Sequence, residues 1–197
     1  MKRMATAAPL FPPGAPAQNS PEVEAAFASA PPEMVAEILE GKLSLMPRPR
    51  PRHARAALRL ARRLGSLDDE GGGWVFLMEP ELHLGEGPDK LVPDIAAWRR
   101  ERLPELPDDA AIRLAPDWVC EVLSDGTRRL DRGKKQRIYA REQVGHLWFV
   151  DPEAQILEVF ERVGQQWLLI DTFEAEAAVR APPFAAIDVD LAALWAR

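Results

Sequence analysis

Asp94, Glu121 and a lysine of the segment DRGKKQRIYA at 131–140 are the residues whose types and spacing could do chemistry in this chain. Asp94 sits in LVPDIAAW and Glu121 in DWVCEVLS, each an acid inside an apolar run. A carboxylate among Val, Ile, Leu and Trp is costly to desolvate unless a cation or a hydrogen-bond network meets it. Two such acids followed by a lysine are what a magnesium-dependent phosphodiester-cleaving site needs. Hard oxygen ligands hold the ion and an ammonium steadies the attacking water. Competing chemistries lack their residues. His53, His83 and His146 are the only histidines and none is spaced as a metal pair, no Gly-x-Ser-x-Gly elbow is present, and Gly71 to Gly73 lacks the Lys-Ser/Thr of a nucleotide loop. Cys120 is the single cysteine, so internal disulfides and cysteine-rich zinc clusters are excluded, and its apolar strand makes it a small buried hydrophobe.

The elements that must position these groups follow from periodicity. MVAEILEGKLSLMP reads as strand, tight turn at Glu40-Gly41 and strand, whereas PRPRPR is too proline-rich for either element. From about His53 to Leu64 the pattern turns helical, with Ala57, Leu60, Ala61 and Leu64 on one stripe and Arg55, Arg59, Arg62 and Arg63 on the opposite one. The triple glycine ends that helix and opens WVFLME and ELHL, expected to pair with each other. Alternation puts Asp94, Ala96 and Trp98 on one strand face, and Glu121 on a face with Val119 and Leu123. A strand at 118–123, a helix from about Leu130 to Glu142 and a strand HLWFVD predict a locally parallel pair. The hairpins on either side, QILEVFE with QQWLLID among them, predict antiparallel pairing, so an α/β domain with a mixed sheet is expected. Asp188 or Asp190 is placed to cap a short helix carrying Leu191, Leu194 and Trp195. Residues 1–20 read as a disordered Pro/Ala-rich tail whose prolines interrupt any signal-peptide core, and 21–197 as one domain. No segment spans a membrane, and a cytoplasmic location is expected.

The formal net charge is -6, which describes the average surface and not one face. Between Gly41 and Leu67 there is no acid, and Lys42 with seven arginines gives +8, leaving -14 for the remainder. A second basic cluster runs from Arg128 to Arg137 around Asp131 alone. Arg55, Arg59 and Arg62, with Arg128 and Arg129, are the candidate contacts to a nucleic-acid backbone. Helical geometry alone does not separate Lys134 from Lys135, since both adjoin the apolar side through Ile138 and Tyr139.

Pro93-Asp94, Glu121-Val-Leu-Ser124, Thr127-Arg-Arg, Asp131, Lys135, Tyr139, Trp148 and Val150-Asp151-Pro152 together resemble the bacterial Uma-type restriction endonuclease family, within the PD-(D/E)xK nuclease superfamily. The likeness runs from about Met34 to Phe160 and includes Glu37-Ile-Leu-Glu-Gly41. It implies a restriction-endonuclease-like mixed sheet flanked by helices, with N-terminal and C-terminal β-hairpins, and metal-dependent hydrolysis of DNA with Mg²⁺, or Mn²⁺ in its place. On this resemblance Asp94 and Glu121 are metal ligands, the main-chain carbonyl of Val122 is a further one, Lys135 is the catalytic lysine and Glu37 assists. Elsewhere in the superfamily the lysine lies two residues after the second acid, where this chain has Leu123. In the Uma-type pattern it comes instead from the following helix, and the one departure from that family is Ser124-Asp125-Gly126-Thr127 in place of Ser-Pro-Ser-Thr, which adds a negative charge near the expected metal. DNA and a second copy of the chain are the expected partners. The alternative is a catalytically silent nuclease fold that binds DNA or protein without cutting.

Overall fold

The structure, a computed structural model, describes residues 18–68, 72–175 and 178–196, so positions 1–17 of the expected tail lie outside it. The last residues of that tail are already part of the fold. Ser20 caps α1 (Pro21–Ala28) by accepting from the Val23 N–H, and Asn19 donates to Glu24 and to the Pro88 carbonyl. This short helix was not anticipated, because its eight residues bury no apolar stripe that periodicity could reveal.

Two sheets and a small ladder organise the rest. β1 (Met34–Leu39) and β2 (Lys42–Pro47) form the expected hairpin, with Glu40 and Gly41 both at positive φ as a two-residue turn requires. They belong to a five-stranded sheet of order β2-β1-β5-β4-β7, completed by β4 (Glu81–Leu84), β5 (Asp89–Leu91) and β7 (Ala111–Ile112). The larger, six-stranded sheet has order β11-β10-β9-β8-β6-β3. Its strands are β3 (Trp74–Met78), β6 (Ile95–Arg99), β8 (Trp118–Val122), β9 (His146–Asp151), β10 (Ile156–Val163) and β11 (Gln166–Glu174). Within it β8 and β9 are parallel and the other pairs antiparallel. The mixed α/β architecture is therefore as expected, but the expected β3–β4 pair is not formed. β3 pairs with β6, and β4 with β5. Glu79 at φ 46 and Pro80, which has no N–H to donate, turn the chain out of one sheet and into the other. Val92-Pro93-Asp94 takes it back, and the Glu79 N–H bonds the Asp94 carbonyl, so the two crossings lie side by side.

Helices cover both faces of the large sheet. α2 (Pro51–Leu64) starts two residues earlier than its periodicity indicates, because Pro51 is tolerated in the first turn where no intrahelical N–H bond is lost, and it stops at Gly65, well before the triple glycine. Ala56, Ala57, Leu60 and Leu64 pack on Ile95, Trp118, Cys120 and Trp148 together with α5 (Leu191–Trp195), whose N-cap is Asp190. A two-stranded ladder of β12 (Ala178–Val179) and β13 (Val189–Asp190) precedes it. On the opposite face Ala96, Trp98, Val119 and Phe149 meet Leu39, Leu82 and Leu91 of the small sheet. Ile138 and Tyr139 close this second core. They belong to one unbroken helix made of α3 (Arg128–Leu130), a π-helical turn (Asp131–Lys135) and α4 (Gln136–Arg141).

Phe184 is the hub of the first core. It stands edge-on to Trp74, Trp118 and Trp148, with centroids 4.9, 5.0 and 5.7 Å away, and aromatic pairs of this kind add about 0.5–1.5 kcal/mol each beyond area burial. Phe184→Ala is therefore expected to lower stability by about 3–5 kcal/mol, measured as a drop in the urea midpoint with an unchanged slope.

Candidate functional site

The crossing segment 92–94 sits where the two sheets meet, and the acids gather there. In the β6–β8 ladder Ile95 faces Cys120 and Ala96 faces Val119, so the next pair in that register is Asp94 with Glu121. Residues opposite each other on antiparallel strands share a face, with Cβ atoms about 4.5–5.5 Å apart. Asp94 Oδ2 accepts the Val122 N–H at 2.7 Å and Asp94 Oδ1 lies 2.5 Å from His53 Nε2 on α2. Val122 thus meets Asp94 through its N–H, whereas the sequence reading gave its carbonyl a role.

Lys135 is 2% exposed and reaches into this group from the π-helical turn. Its Nζ is 2.8 Å from Glu121 Oε1, 3.1 Å from Glu37 Oε1 and 3.5 Å from Asp131 Oδ1, and 3.4 Å from the Val92 carbonyl. Lys134 is half-buried and makes no ion pair among the described residues. The five-residue turn, a form common at functional sites, sets this register. Glu37 is fully buried. Its Oε1 accepts the Val92 N–H at 2.8 Å while its Oε2 is buried with no hydrogen-bond partner. Tyr139 donates its hydroxyl to Glu121 Oε1 at 2.6 Å.

Three carboxylates therefore surround one ammonium, with Asp94 beside Glu121 across the ladder. Burial pushes the Glu121 carboxyl well above its ordinary range, Lys135 pulls it back, and Asp131, Asp94 and Glu37 push it up further. Asp131 is raised by burial in the same way. Burial alone would lower the Lys135 ammonium, but Glu121, Glu37, Tyr139 and Asp131 override it and hold the proton well above the ordinary lysine value. Tyr139 is also raised, by burial first, and stays a neutral donor.

Asp94, Glu121, Asp131 and Lys135 line a cavity of about 160 Å³, with Arg48, Arg50 and His53 on one wall and Ser124, Asp125, Gly126 and Thr127 on another. Glu37 lies behind Lys135, outside this lining. Among the described residues no set of three or more His, Cys, Asp or Glu side chains is arranged to hold a metal by itself. Asp94 and Glu121 nonetheless fit a hard divalent cation, because Mg²⁺ is usually held by one or two carboxylates plus water and phosphate oxygens. The excess of buried acids over the single buried ammonium at the site, that of Lys135, points the same way.

The basic candidates divide. Arg59 donates to the Ala193 and Ala196 carbonyls at 2.5 and 2.6 Å, and Arg128 is paired with Asp151 at 2.6 Å, so both stabilise the fold and leave the expected nucleic-acid stripe. Arg63, Arg132 and Arg137 are likewise tied, to the Asp188 carbonyl, Glu158 and Glu40. Arg55, Arg62 and Arg129 are exposed and have no hydrogen bond or ion pair among the described residues. Sequence reasoning missed Arg48 and Arg50 at the cavity wall and undervalued His53. The alternation of proline and arginine through 47–50 was the available signal, since proline holds such a segment extended.

Among solved structures, this chain is similar to a putative nuclease belonging to DUF820 from Anabaena variabilis ATCC 29413. The TM-score is 0.71 and the identity 23%, over 86% of this chain and 94% of that one, a likeness of fold. No curated protein matches. The Uma2 family model, described as "Putative restriction endonuclease", matches residues 22–193, nearly the whole described fold with both acids, the bulged helix and the aromatic hub, and the chain belongs to that family.

Proposed function

We propose that the chain is a metal-dependent endonuclease that hydrolyses DNA phosphodiester bonds at the Asp94–Glu121–Lys135 cavity. The observation that carries this reading is a buried lysine paired with three carboxylates and lining a cavity that Asp94 lines too, an excess of acids that a structural ion pair has no use for. Asp94 and Glu121 would hold Mg²⁺ or Mn²⁺, which when bound polarises a phosphate oxygen and eases deprotonation of water. Lys135 orients that water and offsets negative charge that builds on the phosphate. Tyr139 and Glu37 position the pair, Tyr139 by fixing Glu121 Oε1 and Glu37 by holding Lys135 against Val92. His53 fixes the Asp94 carboxylate, and Arg48 and Arg50 flank the approach. One observation favours the silent alternative. Both Asp94 oxygens and Glu121 Oε1 already have protein partners, and Lys135 neutralises part of the site without an ion. Each Asp94 oxygen keeps a lone pair beside its one partner, and Glu121 Oε2, unlike the doubly engaged Oε1, has no hydrogen bond among the described residues, so these contacts leave ligation open.

Incubation of the purified protein with supercoiled and linear DNA decides between the two. Cleavage in Mg²⁺ or Mn²⁺, absent in chelator, is expected. Lys135→Ala is expected to reduce turnover by about 10²–10³-fold, the effect of removing one preorganised charge, with Lys134→Ala near wild type. Circular dichroism verifies the folded fraction, because unpairing buried carboxylates is itself destabilising. Equal cutting by Lys135→Ala and wild type would remove the lysine from the reaction.

Exposed arginines give a second expectation. Each phosphate neutralised contributes a slope of roughly -0.9 in log affinity against log salt. Arg55→Glu combined with Arg62→Glu is expected to weaken DNA binding across sequences and to flatten the slope by about 2. Arg59→Glu is expected to act instead on stability, read by thermal melting.

Glu121→Gln separates the charge from the shape. In chelator the variant is expected to melt roughly 2–4 °C above wild type, the shift that about 1 kcal/mol gives at this chain length, because one disfavoured buried charge is gone. On adding Mg²⁺ the order is expected to reverse, since the wild type gains a ligand that the variant binds poorly.

A further inference from the structure

We infer that the cavity takes an unpaired nucleotide, so that single-stranded or locally opened DNA is the substrate class of this site. The inference rests on the nuclease reading and adds to it the form of the DNA.

The reacting groups are recessed. The side chains of Glu121, Asp131 and Lys135 are each 3% exposed and that of Asp94 12%. A hard divalent cation such as Mg²⁺ bonds its oxygen ligands at about 2.0–2.1 Å. A phosphate joined to these acids through an ion must therefore descend between the Arg48–Arg50 segment and the Ser124–Thr127 loop. A duplex, stiff over about 150 bp, does not bend one phosphate out of its backbone into such a recess without being deformed. A single strand reaches it by rotating about its sugar–phosphate bonds.

The surface beside the acids is apolar. In the β1–β2 hairpin Val35 faces Met46 and Glu37 faces Ser44, and alternation puts Val35 on the same face as Glu37. Val35 and Met46 thus continue the row from which Glu37 reaches Lys135, and both line the cavity. A phosphate has no use for them. In a duplex the bases beside a phosphate are stacked and paired, and only their edges face the grooves. A recessed apolar pair meets a base only when that base has left the stack. Met46, unbranched and polarizable, suits a surface that accepts bases of different shape.

Charge at the mouth favours one strand over two. Arg48 and Arg50 are exposed there, but so are Glu79 and Asp125, and Arg48 also donates to the Pro32 carbonyl. The two acids offset the two arginines. A duplex carries one charge per about 1.7 Å of axis, twice the density of either strand alone, so this mouth opposes it more strongly. Arg55 and Arg62 along α2 are then a track for one backbone beside an apolar surface for its bases, the pairing that single-strand sites use.

A labelled strand presented alone, annealed to its complement, and annealed with a central mismatched bubble tests this at one salt concentration. In Mg²⁺ or Mn²⁺ the single strand and the bubble are expected to be cut at least roughly tenfold faster than the duplex, with bubble cuts confined to the unpaired stretch. In Ca²⁺, read by fluorescence anisotropy, the single strand is expected to bind more tightly than the duplex. Met46→Ala is expected to lose roughly five- to tenfold of that affinity and little of the duplex affinity. Met46→Leu, which keeps the apolar volume, is expected to restore it, and thermal melting shows that both variants are folded. A duplex cut and bound as well as the single strand overturns the inference and leaves the nuclease reading standing. No cutting of any form, with tighter binding of the single strand, overturns the nuclease reading and keeps the site for an unpaired nucleotide. Equal losses for single strand and duplex in Met46→Ala overturn the assignment of Val35 and Met46 to the base.

Discussion

The ammonium of Lys135 is the interaction on which the rest of the site depends. Glu37, Glu121 and Asp131 converge on it and Asp94 stands across the ladder, with Asp131 on the same π-helical turn as Lys135 and the other three acids brought from separate parts of the chain. Remove the ammonium and several carboxylates share a low-dielectric space with nothing to balance them, a penalty of about 3–5 kcal/mol for a single broken buried pair. Keep it and the acids still outnumber it. The neighbouring features serve this imbalance. Tyr139 gives Glu121 a neutral donor, and Val92 offers its N–H to Glu37 and its carbonyl to Lys135. Each is a polar partner that adds no charge.

Two prolines supply the geometry. A continuous β3–β4 hairpin and an unbroken β5–β6 strand would have made one larger sheet with no junction. Pro80 and Pro93 interrupt the ladders, and the chain crosses between sheets at both places. An interruption leaves backbone groups without ladder partners, and buried ones must find others. At Val92 those partners are Glu37 and Lys135. The defect in the sheet is thus the feature that collects the charged side chains.

Asp94 and Glu121 were legible in the sequence because an acid in an apolar strand is a local anomaly. The parallel β8–β9 pair was legible from the strand, helix, strand order. Lys135 was not separable from Lys134 by a 3.6-residue period, since the π-helical turn that buries one of them violates that period. The split into two sheets was hidden for a related reason. Alternation tells which face a residue occupies but not which strand lies beside it, and WVFLME and ELHL follow one another in sequence without pairing. His53 and Asn19 act through partners 41 and 69 residues away, and no window along the chain shows such pairs. The arginine stripe was misread in part for the same reason. Arg59 looks solvated on a helical wheel until α5 arrives from the far end of the chain.

The distribution of the arginines also bears on how a polyanion could approach a cavity whose floor is itself negative. Arg128, Arg132 and Arg137 are paired with acids of the fold and contribute little net charge outward, while Arg59 and Arg63 keep their charge but spend donors on backbone carbonyls. The positive wall consists of Arg48 and Arg50, with Arg55 and Arg62 further along α2. Against four carboxylates this is too little to draw a phosphate down to Lys135 unaided. Under the proposed function a divalent cation would have to enter before or with the phosphate, since it alone reverses the sign of the field at the floor. Substrate affinity at the reacting centre and cation affinity would then be coupled, whereas contacts along α2 would depend on salt alone.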